Sequence, residues 1–148
     1  MGKNLVSGVV PILLSGLLLT SCSDPFIVIP GGQLAGQVSP APDLWRNVPD
    51  TIQVESNPPD PYSINIWGVG IGSDLYIATS ADGTTWSRYL ENDPAVRVRI
   101  DNAIFELSAV LVTEPIERKR VLDAYVEKYD EDAGDSFVTD GLILRLDR

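Results

Sequence analysis

Tyr62-Ser63-Ile64-Asn65-Ile66-Trp67-Gly68-Val69-Gly70-Ile71-Gly72-Ser73-Asp74-Leu75-Tyr76-Ile77-Ala78-Thr79 is the stretch on which the fold turns. Side chains alternate across an extended chain, so Tyr62, Ile64 and Ile66 share one face while Ser63, Asn65 and Trp67 share the other. Gly70 to Asp74 then forms a turn, and residues 75–79 return as the partner strand. Gly68, Gly70 and Gly72 do not make a phosphate-cradling loop, because their spacing is not GxGxxG and no helical pattern follows at once. The stretch is a β-hairpin.

The elements around it follow the same logic. Asp82-Gly83-Thr84 opens a short helix with Asp82 or Thr84 as cap; Trp86 and Leu90 lie on one face, and Pro94 ends it. Residues 95–100 form a strand with Val96, Val98 and Ile100 inward and Arg97 and Arg99 outward. Asp101-Asn102 turns into a long strand over residues 104–112. Thr113 caps a second helix with Pro115 in its first turn, and its stripe of Leu122, Tyr125, Val126 and Tyr129 must pack on something. Residues 142–146 are a last strand. Upstream, Pro40, Pro42, Pro49, Pro58, Pro59 and Pro61 mark loops and strand ends, leaving short strands at 33–38 and 51–55. The chain is therefore mainly β with two helices. Its six to seven mostly antiparallel strands predict a small barrel with a helix across it.

Composition excludes several function classes. The 148 residues carry a net charge of −10, with no histidine and one cysteine. Nucleic-acid binding proteins carry basic patches, and a polybasic grip on anionic lipid is equally excluded. Without histidine there is no histidine-based triad, no usual zinc site, and none of the commonest general base. G-x-S-x-G, P-loop and cysteine-nucleophile patterns are absent, and no carboxylate pair stands out among 21 acidic residues.

The N-terminus supplies an address. Leu5 to Leu19 is apolar, follows Lys3 and contains Pro11; it is too short to span a bilayer but fits a secretory signal. Leu19-Thr20-Ser21-Cys22 is the pattern read by bacterial lipoprotein-processing enzymes. Residues 1–21 are thus expected to be a signal peptide, Cys22 the acylated first mature residue, 22–32 a tether and 33–148 one domain. More than one acyl chain makes such anchoring stable. Ser23 stands where an inner-membrane retention signal places Asp, so the expectation is the outer membrane, with the domain facing the periplasm.

Several side chains have two readings. Arg97 and Arg99 either hold an anionic ligand or form a solvated outer face that discourages edge pairing. Ser63, Asn65 and Trp67 either line a pocket or lie under a helix, with Trp67 as packing. Trp86 and Tyr89 are either core or dimer-interface anchors, or rings that stack on a cofactor. Asp130-Glu131-Asp132, with Asp135 and Asp140, does not fit a calcium loop: from Asp130, the glycine position holds Asp135 and the twelfth holds Gly141. It reads as a solvated acidic loop, and no metal is expected.

The stretch Trp86-Ser87-Arg88-Tyr89-Leu90-Glu91-Asn92-Asp93-Pro94-Ala95-Val96-Arg97-Val98-Arg99-Ile100 resembles the split-barrel proteins related to pyridoxamine-phosphate oxidase, especially the small deazaflavin-dependent, nitroreductase-like branch. The order continues with Phe105 to Ala109, Thr113-Glu114-Pro115, Val121 to Tyr125 and Lys128-Tyr129, and Ile64-Asn65-Ile66-Trp67 looks like the family strand that enters its central hairpin. The resemblance spans residues 62–129. It implies a six- or seven-stranded split barrel, a homodimer, and flavin mononucleotide (FMN) or deazaflavin in a cleft at the barrel edge, with Ser63, Asn65 and Trp67 on the ligand side. It also implies a basic, glycine-bearing phosphate segment before the hairpin. Here that segment is Ser56-Asn57-Pro58-Pro59-Asp60-Pro61, without Arg or Lys, and a charge-assisted phosphate contact is lost.

Two functions follow as expectations. The first is a non-catalytic binding or envelope-associated module whose ligand surface lies beside residues 62–69 and 95–100. The alternative is a flavin- or deazaflavin-dependent oxidoreductase, in which the cofactor carries the chemistry. A third, a carrier of apolar ligands, requires a hollow barrel.

Overall fold

The computed structural model describes residues 31–134 and 139–148. The signal segment, Cys22 and most of the tether lie outside the described residues. The elements are β1 (Gln37–Val38), β2 (Thr51–Ser56), β3 (Tyr62–Ile71), β4 (Asp74–Thr79), α1 (Thr85–Asn92), β5 (Ala95–Ile100), β6 (Ala103–Leu111), α2 (Pro115–Tyr129) and β7 (Leu142–Asp147). The hairpin is β3–β4, with Gly72 in the left-handed region at the turn.

The strands run in the order β6-β5-β2-β3-β4-β7, and β7 pairs back onto β6. This closes a six-stranded antiparallel barrel, and β1 adds to β6 as a seventh, parallel strand. The expected fold class holds: mainly β, two helices, a split barrel.

Alternation fills the interior. Ile52 and Val54, Ile64, Leu75 and Ile77, Val96 and Val98, Leu107, and Leu144 and Leu146 form one core with Trp45, Trp86 and Leu90. Burying each such aliphatic chain is worth about 1.5–3 kcal/mol. Trp45 enters from the loop after β1 and meets Phe105 edge-on at 5.1 Å. Gly70 makes this possible: a Cβ there would lie 2.2 Å from the Trp45 carbonyl oxygen. Side chains occupy the space that a carrier of apolar ligands would need.

The second helix covers the outer face of β3, β4 and β7. Val121 and Tyr125 pack on Val69, Tyr76, Val112 and Ile143, flanked by Leu122, Ala124 and Tyr129. Val121, rather than Val126, is the deepest position of the stripe. The cap also differs from expectation, since the Glu114 carboxylate, not Thr113, accepts from the Glu117 amide at 3.0 Å. At α1, Thr84 is the cap, and its amide donates to Ser87 Oγ at 2.8 Å. No described helix is long and apolar enough to cross a membrane.

Candidate functional site

The strand order decides what the predicted site residues meet. β2 lies between β3 and β5, so Ser63 and Arg97 both register with Glu55, while Asn65 and Arg99 both register with Gln53. Thr51 is opposite Trp67. The outer face of β5-β2-β3 thus has three rows: Arg97–Glu55–Ser63, Arg99–Gln53–Asn65, and Thr51–Trp67. Five of the predicted site residues share this face. Trp86 does not: it is buried in the barrel core.

Charge on the face is paired internally. Glu55 is 4% exposed, and Arg97 Nη1 lies 3.1 Å from both of its carboxylate oxygens. A buried ion pair persists only when further hydrogen bonds satisfy both partners. Here those bonds come from a strap, residues 31–36, that crosses the face. Gly31 exchanges backbone hydrogen bonds with Ser63 on β3 at 2.8 and 2.9 Å. The Leu34 amide donates to Glu55, and the Leu34 carbonyl accepts from Arg97 at 3.4 Å. Arg99 donates to the Ala35 carbonyl at 3.2 Å. The Gln37 amide then donates to the Asn102 carbonyl at 2.7 Å, where β1 joins β6. The expected strand over 33–38 is regular only at its last two residues, because residues 31–36 run across the sheet rather than along one strand.

The other rows are less covered. Gln53 Nε2 donates to Asn65 Oδ1 at 3.0 Å, while Gln53 Oε1 is buried with no hydrogen-bond partner among the described residues. Trp67 is 40% exposed and stacks on Tyr129 of α2 at 4.4 Å, with the rings 7° from parallel. This is the helix-packing reading of Trp67, although two fifths of its surface stays open. The Tyr129 hydroxyl lies 2.8 Å from the Asp50 carbonyl and 2.9 Å from that of Gly68. Beside it, Lys128 Nζ donates to the carbonyls of Val48, Pro49 and Gly68 at 2.8–2.9 Å, and burial lowers its pKa. Lys128 clips α2 to the loop before β2.

A second polar cluster sits under the start of α2. The Tyr76 hydroxyl donates to Glu117 and accepts from Arg120, both at 2.9 Å, and Arg145 bridges Glu117 and Asp147. Burial, reinforced by Glu117, raises the Tyr76 pKa to about 12. Cations and carboxylates alternate here, so the cluster is a structural network rather than a site for an anion. In the loop between β2 and β3, Asn57 takes a left-handed conformation and its Nδ2 donates to the Asp60 carbonyl at 2.7 Å. Residues 56–61 themselves contain no Lys or Arg.

Sequence reasoning did not single out Glu55, Gln53 or Leu34. The signal for Glu55 was available as a charge of sign opposite to Arg97 at an outward position of a neighbouring strand, but the neighbour relation needs the strand order.

The fold is that of the split-barrel proteins. A heme storage protein of Vibrio cholerae, HutZ, superposes with a TM-score of 0.54 at 19% identity, over 66% of this chain and 80% of that one. A candidate pyridoxamine 5′-phosphate oxidase from Listeria innocua gives 0.52 at 13% identity, over 66% and 82%. A FAD-binding protein of Mesorhizobium loti gives 0.51 at 10% identity, over 66% and 80%. No family model matches the sequence, and no curated protein does. At these identities the likeness is one of fold, and function rests on the site.

Proposed function

We propose that this chain is a bacterial lipoprotein, anchored at Cys22 to the outer membrane and facing the periplasm, whose split barrel is a non-catalytic binding module. The observation that carries the non-catalytic reading is the strap. It lies on the face where the resemblance puts a cofactor, and its backbone takes up the hydrogen bonds of Glu55, Arg97 and Arg99. The segment before β3 adds to this, since Ser56 to Pro61 offers no cation to a phosphate. The pattern Leu19-Thr20-Ser21-Cys22, with Ser23 after it, supports the anchor and the outer-membrane destination.

The second reading is a flavin- or deazaflavin-dependent oxidoreductase. A FAD-binding protein shares the fold, and the Trp67 ring, 40% exposed on the face where the resemblance puts a cofactor, offers an aromatic surface for stacking. Titration of the purified mature chain with FMN and with the deazaflavin coenzyme separates the two. Colourless protein with no saturable binding supports the module, whereas visible absorbance or micromolar affinity overturns it. Labelled palmitate incorporated into the wild type and not into Cys22→Ala tests the anchor.

A further inference from the structure

We propose that the outer face of β5-β2-β3 is a groove for an extended peptide, and that residues 31–36 occupy it in cis. The contacts are those of peptide recognition, in which main-chain hydrogen bonds give affinity and a few side-chain pockets give specificity. Glu55 accepts the Leu34 amide, Arg97 and Arg99 donate to two successive carbonyls, and Ser63 forms a two-way backbone bridge with Gly31. The acid–base pair is thus arranged to read both ends of one residue's backbone, a use that an ordinary surface salt bridge does not require.

Specificity is written in three positions. A Cβ at Gly31 would lie 2.6 Å from Ser63 Oγ, and one at Gly36 would lie 2.8 Å from the Asn102 carbonyl and 2.9 Å from Ile104 Cγ1. Leu34 between them is 7% exposed. The groove therefore selects a leucine in an extended segment with a small residue three positions before it, and the turn before β6 adds a preference for glycine two positions after it. The segment carries no charge over residues 31–36, so the ion pair meets neutral peptide groups and is not neutralised by a competing side chain. A tethered occupant acts at an effective concentration of about a millimolar. A partner peptide with this pattern therefore enters when the strap is lifted, and is shut out while it is down. This inference names the ligand class for the binding-module reading and rests on it. A negative peptide result leaves the flavin titration untouched, so the two fail separately.

The test uses the full mature chain and a fluorescent peptide of residues 31–39. In wild type the strap holds the groove, and the peptide binds at least about tenfold more weakly than to Leu34→Asp, whose own strap no longer seats. With Leu34→Asp, the same peptide carrying aspartate in place of its leucine binds at least about tenfold more weakly, the scale of burying one leucine. Adding Arg97→Met to that variant weakens the unmodified peptide by about tenfold or more. Circular dichroism establishes that each variant is folded; Leu34→Ala replaces Leu34→Asp if the aspartate unfolds the chain. Anisotropy that does not saturate by about 1 mM peptide on the folded variant, or equal affinity for both peptides, overturns the proposal.

Discussion

Arg97→Met isolates the interaction on which the outer face depends. The substitution keeps most of the aliphatic stem and removes the guanidinium, leaving the Glu55 carboxylate, 4% exposed, with the Leu34 amide as its remaining hydrogen-bond partner among the described residues. Removing one member of a buried pair costs about 3–5 kcal/mol, most of it the penalty of an uncompensated buried charge. Arg97 is 23% exposed at its side chain, so some water reaches the site and the lower end applies, about 3 kcal/mol. For a domain of this size that lowers Tm by roughly 10–15 °C, a large share of a stability of about 5–15 kcal/mol. Thermal and urea unfolding followed by circular dichroism measure it. The double variant Glu55→Gln/Arg97→Met is expected to recover most of the loss, because a neutral amide is cheaper to bury than a carboxylate and still accepts from Leu34. A single variant within about 1 kcal/mol of wild type, with a double variant no better, refutes the reasoning.

Three further outcomes follow from other parts of the barrel. Gly70→Ala places a Cβ 2.2 Å from the Trp45 carbonyl oxygen and 2.7 Å from Trp45 Cβ; it is expected to cost about 3 kcal/mol or more and to shift tryptophan fluorescence. At Glu117, burial favours the neutral acid, but hydrogen bonds from Arg145 and Tyr76 outweigh it and hold the carboxyl below its ordinary 4.5. Its contribution is therefore present above pH 4.5 and lost as pH falls through the lower folded value. Urea unfolding of Glu117→Gln should accordingly show a shallower loss of stability below pH 4.5 than wild type. Lys128→Met removes the donor to three carbonyls and is expected to cost about 1–3 kcal/mol, with faster proteolysis in the loop before β2.

Much of the fold was legible because it is written in period two. Val96, Val98 and Ile100 alternate with Arg97 and Arg99 without interruption, and Gly72 marks the hairpin turn, so β3 to β6 could be placed to within a residue or two. The helix stripe was visible with one member misplaced, since Val121 and Val126 are both apolar and only packing on Ile143 and Val69 tells which is deeper. The candidate face was legible in part. Alternation puts Ser63, Asn65 and Trp67 on one side, yet nothing local says that β2 will lie between them and the arginines. That depends on long-range pairing, which brings Glu55 within reach of Arg97 over 42 positions. The strap was hidden for a related reason. Residues 31–36 bond through their backbone to side chains on two strands, and backbone bonding of that kind leaves no pattern in the sequence except its glycines.

Native-state hydrogen exchange at the amides of Leu34 and Ser63 is the most direct test of the claim that the chain closes its own outer face. Both amides are donors in the strap contacts, to the Glu55 carboxylate and the Gly31 carbonyl. The account predicts that they exchange at least about a thousandfold more slowly than an unprotected amide. Exchange of both at the unprotected rate, while Val98 and Ile77 in the barrel core stay slow, would contradict it.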